Sequence, residues 1–279
     1  GNFATATLIP AFKTTGIHLL NVASRSGVTG LHAARKFGFK TTTTDTEELF
    51  KDKNLSAVVI STQHDSHCKF ILRALHYQKH VYVEKPLCIK LSEITLIDDA
   101  YSRFAKQSTT PPIVMVGFNR RFAPLTMKVK ELLKEVPGPK SFVLTINAGP
   151  SSAEHWTTDP LKGGGQIIGE ACHFIDLLRF LAECPIKEWL CNAMDTKQKD
   201  TVSITMKFDD GSIGTINYFT NGSKSYPKER LEVFASGRIL QLNNYRDLRG
   251  FGWPGFRKLS SWRQDKGHKA CAKAFVNAI

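Results

Sequence analysis

Hydrophobic positions along this 279-residue chain follow two different periods. In the first part, short apolar and β-branched runs at 19–24, 57–62, 81–84 and 113–118 are separated by longer amphipathic stretches. Residues 66–77 set Phe70, Ile71, Ala74 and Leu75 at helical spacing, and residues 91–105 do the same with Leu91, Ile94, Ile97, Tyr101 and Phe104. Such spacing predicts helices, the second opened by Ser92. Strand then helix, repeated, predicts a parallel sheet covered on both faces. Further along, the period shortens to two, with alternating runs at 141–147, 201–208, 212–219, 230–234 and 238–242. Asp209-Asp210-Gly211, Asn221-Gly222-Ser223 and Ser236-Gly237 punctuate them, the turn chemistry of hairpins in an antiparallel sheet. One helix, 167–181, follows the run Gly163-Gly164-Gly165. The pattern predicts an α/β domain over 1–119 and an α+β domain with a large, mostly antiparallel sheet over 120–279.

Composition removes several classes. Hydrophobic residues make up 42% and charged residues 23%, with 20 Gly and 12 Pro, which is ordinary globular usage rather than a disordered or collagen-like mixture. No apolar stretch approaches the ~18 residues that span a bilayer, so no membrane association is expected. Six cysteines without a C-x-x-C pair are too sparse for a disulfide scaffold, and the expected location is the cytoplasm. A metal is not expected. His64, His67 and Cys68, or Cys172 beside His173, lack a further ligand at standard spacing.

The balance of 38 Lys and Arg against 25 Asp and Glu leaves a net charge of +13, which favours anionic partners. The segment 246–273 concentrates that charge and adds Phe251, Trp253, Phe256 and Trp262, with Tyr245 just before it. Single-strand nucleic-acid binders mix cations and stacking rings in this way. The favoured reading is nevertheless a loop-rich tail whose aromatics pack inward while its cations stay in water, so nucleic acid is not the expected partner.

Gly1-Asn2-Phe3-Ala4 looks like the last four positions of the dinucleotide fingerprint G-x-G-x-x-A. In that motif glycine lets a pyrophosphate approach the backbone, and a helix N-terminus faces the anion. A helical stretch and then a strand ending at Ser24 follow at the right interval. On this reading the domain is a Rossmann domain whose first strand is missing from the sequence, which is truncated at its N-terminus. At the strand end, where NAD-preferring sites place a carboxylate, the chain has Ser24-Arg25. A guanidinium can pair a 2′-phosphate, so NADP is favoured over NAD as cofactor.

Two segments carry candidate chemistry. Glu84-Lys85-Pro86 closes a buried strand, where Lys85 can polarise a hydroxyl or carbonyl oxygen. Gly163 to Asp176 places His173 and Asp176 three apart on one helical face, with Glu170 three residues earlier; a histidine with a carboxylate neighbour is a natural proton acceptor. Together these motifs resemble the Gfo/Idh/MocA oxidoreductase family, over nearly the whole chain. Glu84-Lys85-Pro86 matches the family's E-K-P, and Gly163 to Gly165, His173 and Asp176 match G-G-G-x-x-x-D-x-G-x-H-x-x-D. The motif aspartate before the histidine is Gly169 here, with Glu170 beside it and about 100° away on a helix. Further segments, 117–124, 147–150 with His155-Trp156, and Pro227-Lys228-Glu229-Arg230, are similar to a branch in which this part follows a zinc-type alcohol-dehydrogenase-like half.

The resemblance implies hydride transfer between NAD(P) and a hydroxyl or carbonyl carbon of a sugar, polyol or related carbohydrate. Lys85, His173 and Asp176 would be catalytic, Asp176 orienting the histidine. Gly1, Asn2, Phe3, Ala4, Ser24, Arg25, Thr62, Gln63, His64, His67, Glu84 and Lys85 would hold cofactor, and Arg120, His155, Trp156 and Glu170 would face substrate. A homo-oligomer is expected by family analogy. The alternatives are a catalytically weak nucleotide-binding module and anion or nucleic-acid binding through the basic 246–273 tail.

Overall fold

A computed structural model describes residues 1–107, 110–150, 156–196 and 199–279. The chain forms two compact units, one of Gly1–Gly117 with His268–Ile279 and one of Phe118–Gly267.

The first unit begins with a helical stretch, a π-helical turn Ala4–Leu8 running into α1 (Ile9–Lys13). Leu8, Ala11 and Phe12 are its buried positions, the spacing of an amphipathic stripe. There follow β1 (Asn21–Ala23), α2 (Gly27–Phe37), β2 (Thr41–Thr43), α3 (Thr46–Lys51), β3 (Ala57–Ile60), α4 (His67–His76), β4 (His80–Val83), α5 (Leu91–Gln107) and β5 (Val114–Val116). All strand pairs here are parallel, in two separate sheets, β1-β2 and β3-β4-β5. Asp52 links the two: its carboxylate accepts from Asn21 Nδ2 at 3.0 Å and its carbonyl from Lys79 Nζ at 2.8 Å. Ile71, Ala74 and Leu75 of α4 pack with Val81 and Val83 of β4 and with Ile97 of α5 in one core.

The last helix, α8 (His268–Ala278), corrects the expected domain over 120–279, because it belongs to the first unit. Its Phe275 ring lies edge-on to Phe12 at 6.2 Å and to Tyr82 at 5.7 Å, burying apolar surface that α1 and β4 leave open.

The second unit carries α6 (Pro124–Lys134), β6 (Ser141–Asn147), α7 (Cys172–Ala182), β7 (Ile186–Ala193), β8 (Val202–Phe208), β9 (Ile213–Phe219), β10 (Glu229–Ala235), β11 (Arg238–Asn243), β12 (Asp247–Phe251) and β13 (Lys258–Ser260). They form one eight-stranded sheet in the order β13-β12-β11-β10-β6-β9-β8-β7, antiparallel except for the β6·β9 pair. Val202, Ile204, Met206 and Phe208 of β8 are buried while Ser203 and Thr205 alternate with them, so one face is core. Leu125, Val129 and Leu133 of α6 and Phe174, Leu177, Leu178 and Leu181 of α7 belong to that core.

The tail is more ordered than expected, since β12, β13 and α8 all lie within or just past it. Tyr245 and Trp253 do turn inward, and Trp253 Nε1 donates to the Ile239 carbonyl at 2.9 Å. Trp262 is 89% exposed and Phe251 half-exposed. Among the described residues no helix is long and apolar enough to cross a membrane.

Candidate active site

In the first unit the candidate residues follow the carboxyl ends of parallel strands, where open α/β sheets bind ligands. Ser24 follows β1; its N–H donates to the Thr43 carbonyl at 3.2 Å and its hydroxyl shares a 2.7 Å hydrogen bond with Thr29. Arg25 beside it is exposed. Thr62 and Gln63 follow β3 and lead into the 3-10 turn His64–Ser66, where the Thr62 and Ser66 hydroxyls meet at 2.6 Å. Glu84 and half-buried Lys85 follow β4, the middle strand of its sheet. The Glu84 N–H donates to the Ile60 carbonyl at 2.9 Å, and its buried carboxylate receives the Tyr82 hydroxyl at 3.5 Å.

Gly1 precedes the first helical stretch, and its carbonyl accepts the Thr5 N–H at 3.2 Å. The first amides of a helical stretch have no helical acceptor and face outward. Asn2 and Phe3 are exposed, and the Phe3 ring lies 5.8 Å from that of His268.

His67 departs from its expected contact with cofactor. Its ring is fully buried, with Nδ1 2.7 Å from the Pro86 carbonyl and Nε2 3.3 Å from the Thr62 carbonyl. Burial pushes its pKa below the usual histidine value.

In the second unit, a π-helical turn Ile167–Ala171 replaces the first part of the single helix expected there, and α7 begins at Cys172. His173 therefore sits in the first turn of α7, 4% exposed, with its ring edge-on to Phe118 at 5.9 Å. The Asp176 carboxylate, expected to serve the histidine, is engaged by Arg121, with Nε on one oxygen at 2.6 Å and Nη2 on the other. Burial raises Asp176 despite that partner. Glu170 reaches across to the sheet: Oε2 accepts the Tyr218 hydroxyl at 2.6 Å and Oε1 accepts Lys228 Nζ at 2.5 Å. Burial, and then the Glu170 charge, raise the Tyr218 hydroxyl, so it stays a proton donor to the carboxylate.

Arg120 is also placed differently from expectation. Its Nε and Nη2 each donate to Glu229 at 2.8 Å, and Lys266 Nζ donates to the same carboxylate at 2.7 Å. The guanidinium also lies over the Phe174 ring at 4.8 Å, so the Glu229 carboxylate and this ring, both in the second unit, hold it. Trp156 opens a 3-10 turn, Trp156–Thr158, and is half-buried; His155 lies outside the described residues. The glycine run closes on this turn, because a Cβ on Gly163 would lie 2.4 Å from Thr157 Cα. In the segment 227–230, Lys228 pairs with Glu170 and Glu229 with Arg120, partners that no local spacing in the sequence announces. Among the described residues no three His, Cys, Asp or Glu side chains gather as metal ligands would.

Residues 1–110 match the family described as "Oxidoreductase family, NAD-binding Rossmann fold", and residues 141–241 match the GFO/IDH/MocA C-terminal domain. The chain is 25% identical to myo-inositol 2-dehydrogenase of Thermotoga maritima over 219 residues, covering 75% of this chain and 63% of that protein. It is 30% identical to oxidoreductase P35 of Formosa agariphila over 223 residues, covering 76% of this chain and 67% of that one. The chain thus spans about two thirds of the length of these relatives. A levoglucosan dehydrogenase structure, in complex with NADH and levoglucosan, shares the fold at a TM-score of 0.84 and 21% identity, covering 99% of this chain and 86% of that one. On these matches, and on a parallel-stranded α/β unit followed by a large mostly antiparallel sheet, the chain belongs to the Gfo/Idh/MocA oxidoreductase family.

Proposed function

We infer that the chain is an NAD(P)-dependent dehydrogenase of cyclic polyols or ring sugars. The observation that carries this reading is Lys85, half-buried just past the carboxyl end of the middle parallel strand β4. Relatives named for inositol and levoglucosan support the substrate class. A bound nicotinamide supplies the hydride acceptor or donor. Gly1 to Ala4, Ser24, Arg25, Thr62, Gln63, His64 and Glu84 are the residues that would hold the dinucleotide.

Lys85 presents an ammonium to the substrate oxygen and stabilises the negative charge that grows there as hydride leaves carbon. His173 takes the hydroxyl proton in oxidation and returns it in reduction. Arg121 and Asp176 fasten the first turns of α7 beneath it, and Glu170, steadied by Tyr218 and Lys228, accepts a further substrate hydroxyl. Exposed Arg25 at the end of β1 favours NADP, because a guanidinium pairs the 2′-phosphate. The relative solved with NADH favours NAD, and a titration separates them. Preferential NADPH binding that is lost in Arg25→Asp supports NADP; tighter NADH binding in the unaltered protein refutes it.

A second copy fits the uncovered face of the sheet. Ile213, Ser141, Phe234, Ile239 and Phe251 line up as cross-strand neighbours on that face, with Ile213, Phe234 and Phe251 all more than 40% exposed. Sedimentation of the wild type and Phe234→Glu tests this reading: a dimer dissociated by the substitution supports it, and a monomeric wild type refutes it.

A further inference from the structure

Two backbone carbonyls, from different loops, converge on one buried imidazole. His67 opens α4, its ring fully enclosed, with Nδ1 2.7 Å from the Pro86 oxygen and Nε2 3.3 Å from the Thr62 oxygen. Thr62 belongs to the loop after β3 and Pro86 to the loop after β4, so the ring ties together the two loops that present the candidate chemistry. A neutral imidazole has one N–H and one lone pair. The shorter contact marks Nδ1 as the protonated nitrogen, since a lone pair 2.7 Å from a carbonyl oxygen would be repelled. Burial and the nearby Lys85 charge both disfavour the doubly protonated ring.

We propose that His67 is a positioning residue for Lys85: its Nδ1–H holds the carbonyl of Pro86 and so fixes the backbone from which the Lys85 ammonium projects. The proposal rests on the reading of Lys85 as catalytic, and assigns His67 a part in turnover without contact to substrate. Lys85 is flanked by Glu84, whose N–H is bonded to Ile60, and by Pro86, whose carbonyl is bonded to His67. The lysine is thus anchored on both sides. Freed on one side, its ammonium samples positions displaced from the reacting oxygen, and small displacements are costly in rate.

Two substitutions separate the hydrogen bond from the bulk of the ring. His67→Asn keeps an N–H donor close to the place of Nδ1, whereas His67→Leu fills space and donates nothing. With NAD⁺ as hydride acceptor and myo-inositol as donor, His67→Leu is expected to lower kcat about tenfold or more while the NADH dissociation constant moves less than about threefold; His67→Asn recovers most of the rate. Amide hydrogen exchange across residues 84–88 should quicken in His67→Leu and not in His67→Asn. Equal losses in both variants, or parallel losses of kcat and NADH affinity, overturn the proposal. Ring ¹⁵N spectra of the wild type test it without any variant: a neutral ring protonated on Nδ1, with a slowly exchanging proton, is expected, and protonation on Nε2 overturns it. Lys85→Met is assayed alongside. If that variant turns over normally, the reading of Lys85 has failed, while exchange and ring spectra still report on whether His67 holds the loop.

Discussion

Arg120 and Glu229 face one another through two parallel hydrogen bonds of 2.8 Å, with side chains only 7% and 2% exposed. A forked pair closed off from water organises the second unit instead of greeting substrate. Lys266 brings a second cation to the same carboxylate, and the Tyr245 ring is buried beside them, 5.9 Å from that ammonium. Replacing Arg120 by Met leaves the carboxylate buried with one partner, at an expected cost of about 3–5 kcal/mol in denaturant unfolding. The double variant with Glu229→Gln should lose less than the two single losses combined. A large rise in KM with unaltered stability would instead return Arg120 to the substrate.

The same carboxylate makes stability depend on acid. Burial alone raises Glu229, but Arg120 and Lys266 outweigh it and hold the group at about 2, against an ordinary value of 4.5. A group depressed in the folded state stabilises fully above its unfolded pKa and ceases to do so as pH falls through the folded one. The stability gap between wild type and Glu229→Gln, on the order of 3 kcal/mol at neutral pH, should therefore close between pH 4.5 and 2. A gap that stays constant over that range contradicts the assignment.

Gly117 tests the packing under Glu84. A Cβ there would lie 2.8 Å from the Tyr82 hydroxyl and 2.9 Å from Glu84 Oε1, and Tyr82 is 1% exposed. Gly117→Ala should cost about 1–3 kcal/mol in thermal unfolding and weaken NADH binding, because Glu84 has to move. An alanine variant with wild-type melting and affinity would show that the space is soft.

Much of this was readable in advance, for identifiable reasons. Strict alternation predicted β6 over 141–147, the bounds observed, because a half-buried strand writes its face directly into the sequence. β7 gave no such signal; it is an edge strand exposed along almost its whole length, with Trp189 and Leu190 in the open. α6 carries Leu125, Val129 and Leu133 at helical spacing, a three-residue stripe weaker than the strand pattern that follows it. Lys85 and His173 were visible as motifs, whereas the partners of Arg120, Asp176 and Glu170 were not. Arg120 and Glu229 are 109 residues apart, and only folding brings such charges together.

Glu170 offers a test of the departure at Gly169. Lys228→Met removes the ammonium from its Oε1, and the carboxylate should then swing from its place near the sheet. The expected result is a rise in polyol KM of roughly three- to tenfold, with NADH affinity unchanged, read from steady-state kinetics and a cofactor titration. Wild-type KM in Lys228→Met would remove Glu170 from the substrate.

The central claim is that the Lys85 ammonium stabilises charge on the substrate oxygen during hydride transfer. The most direct measurement is single-turnover oxidation of myo-inositol and levoglucosan by wild type and Lys85→Met with the favoured nicotinamide prebound. Hydride transfer in the variant should be slower by roughly 10²–10³, with the cofactor dissociation constant within about a factor of three of wild type. Transfer at the wild-type rate in Lys85→Met, or a folded wild type that binds neither NADH nor NADPH, would contradict it.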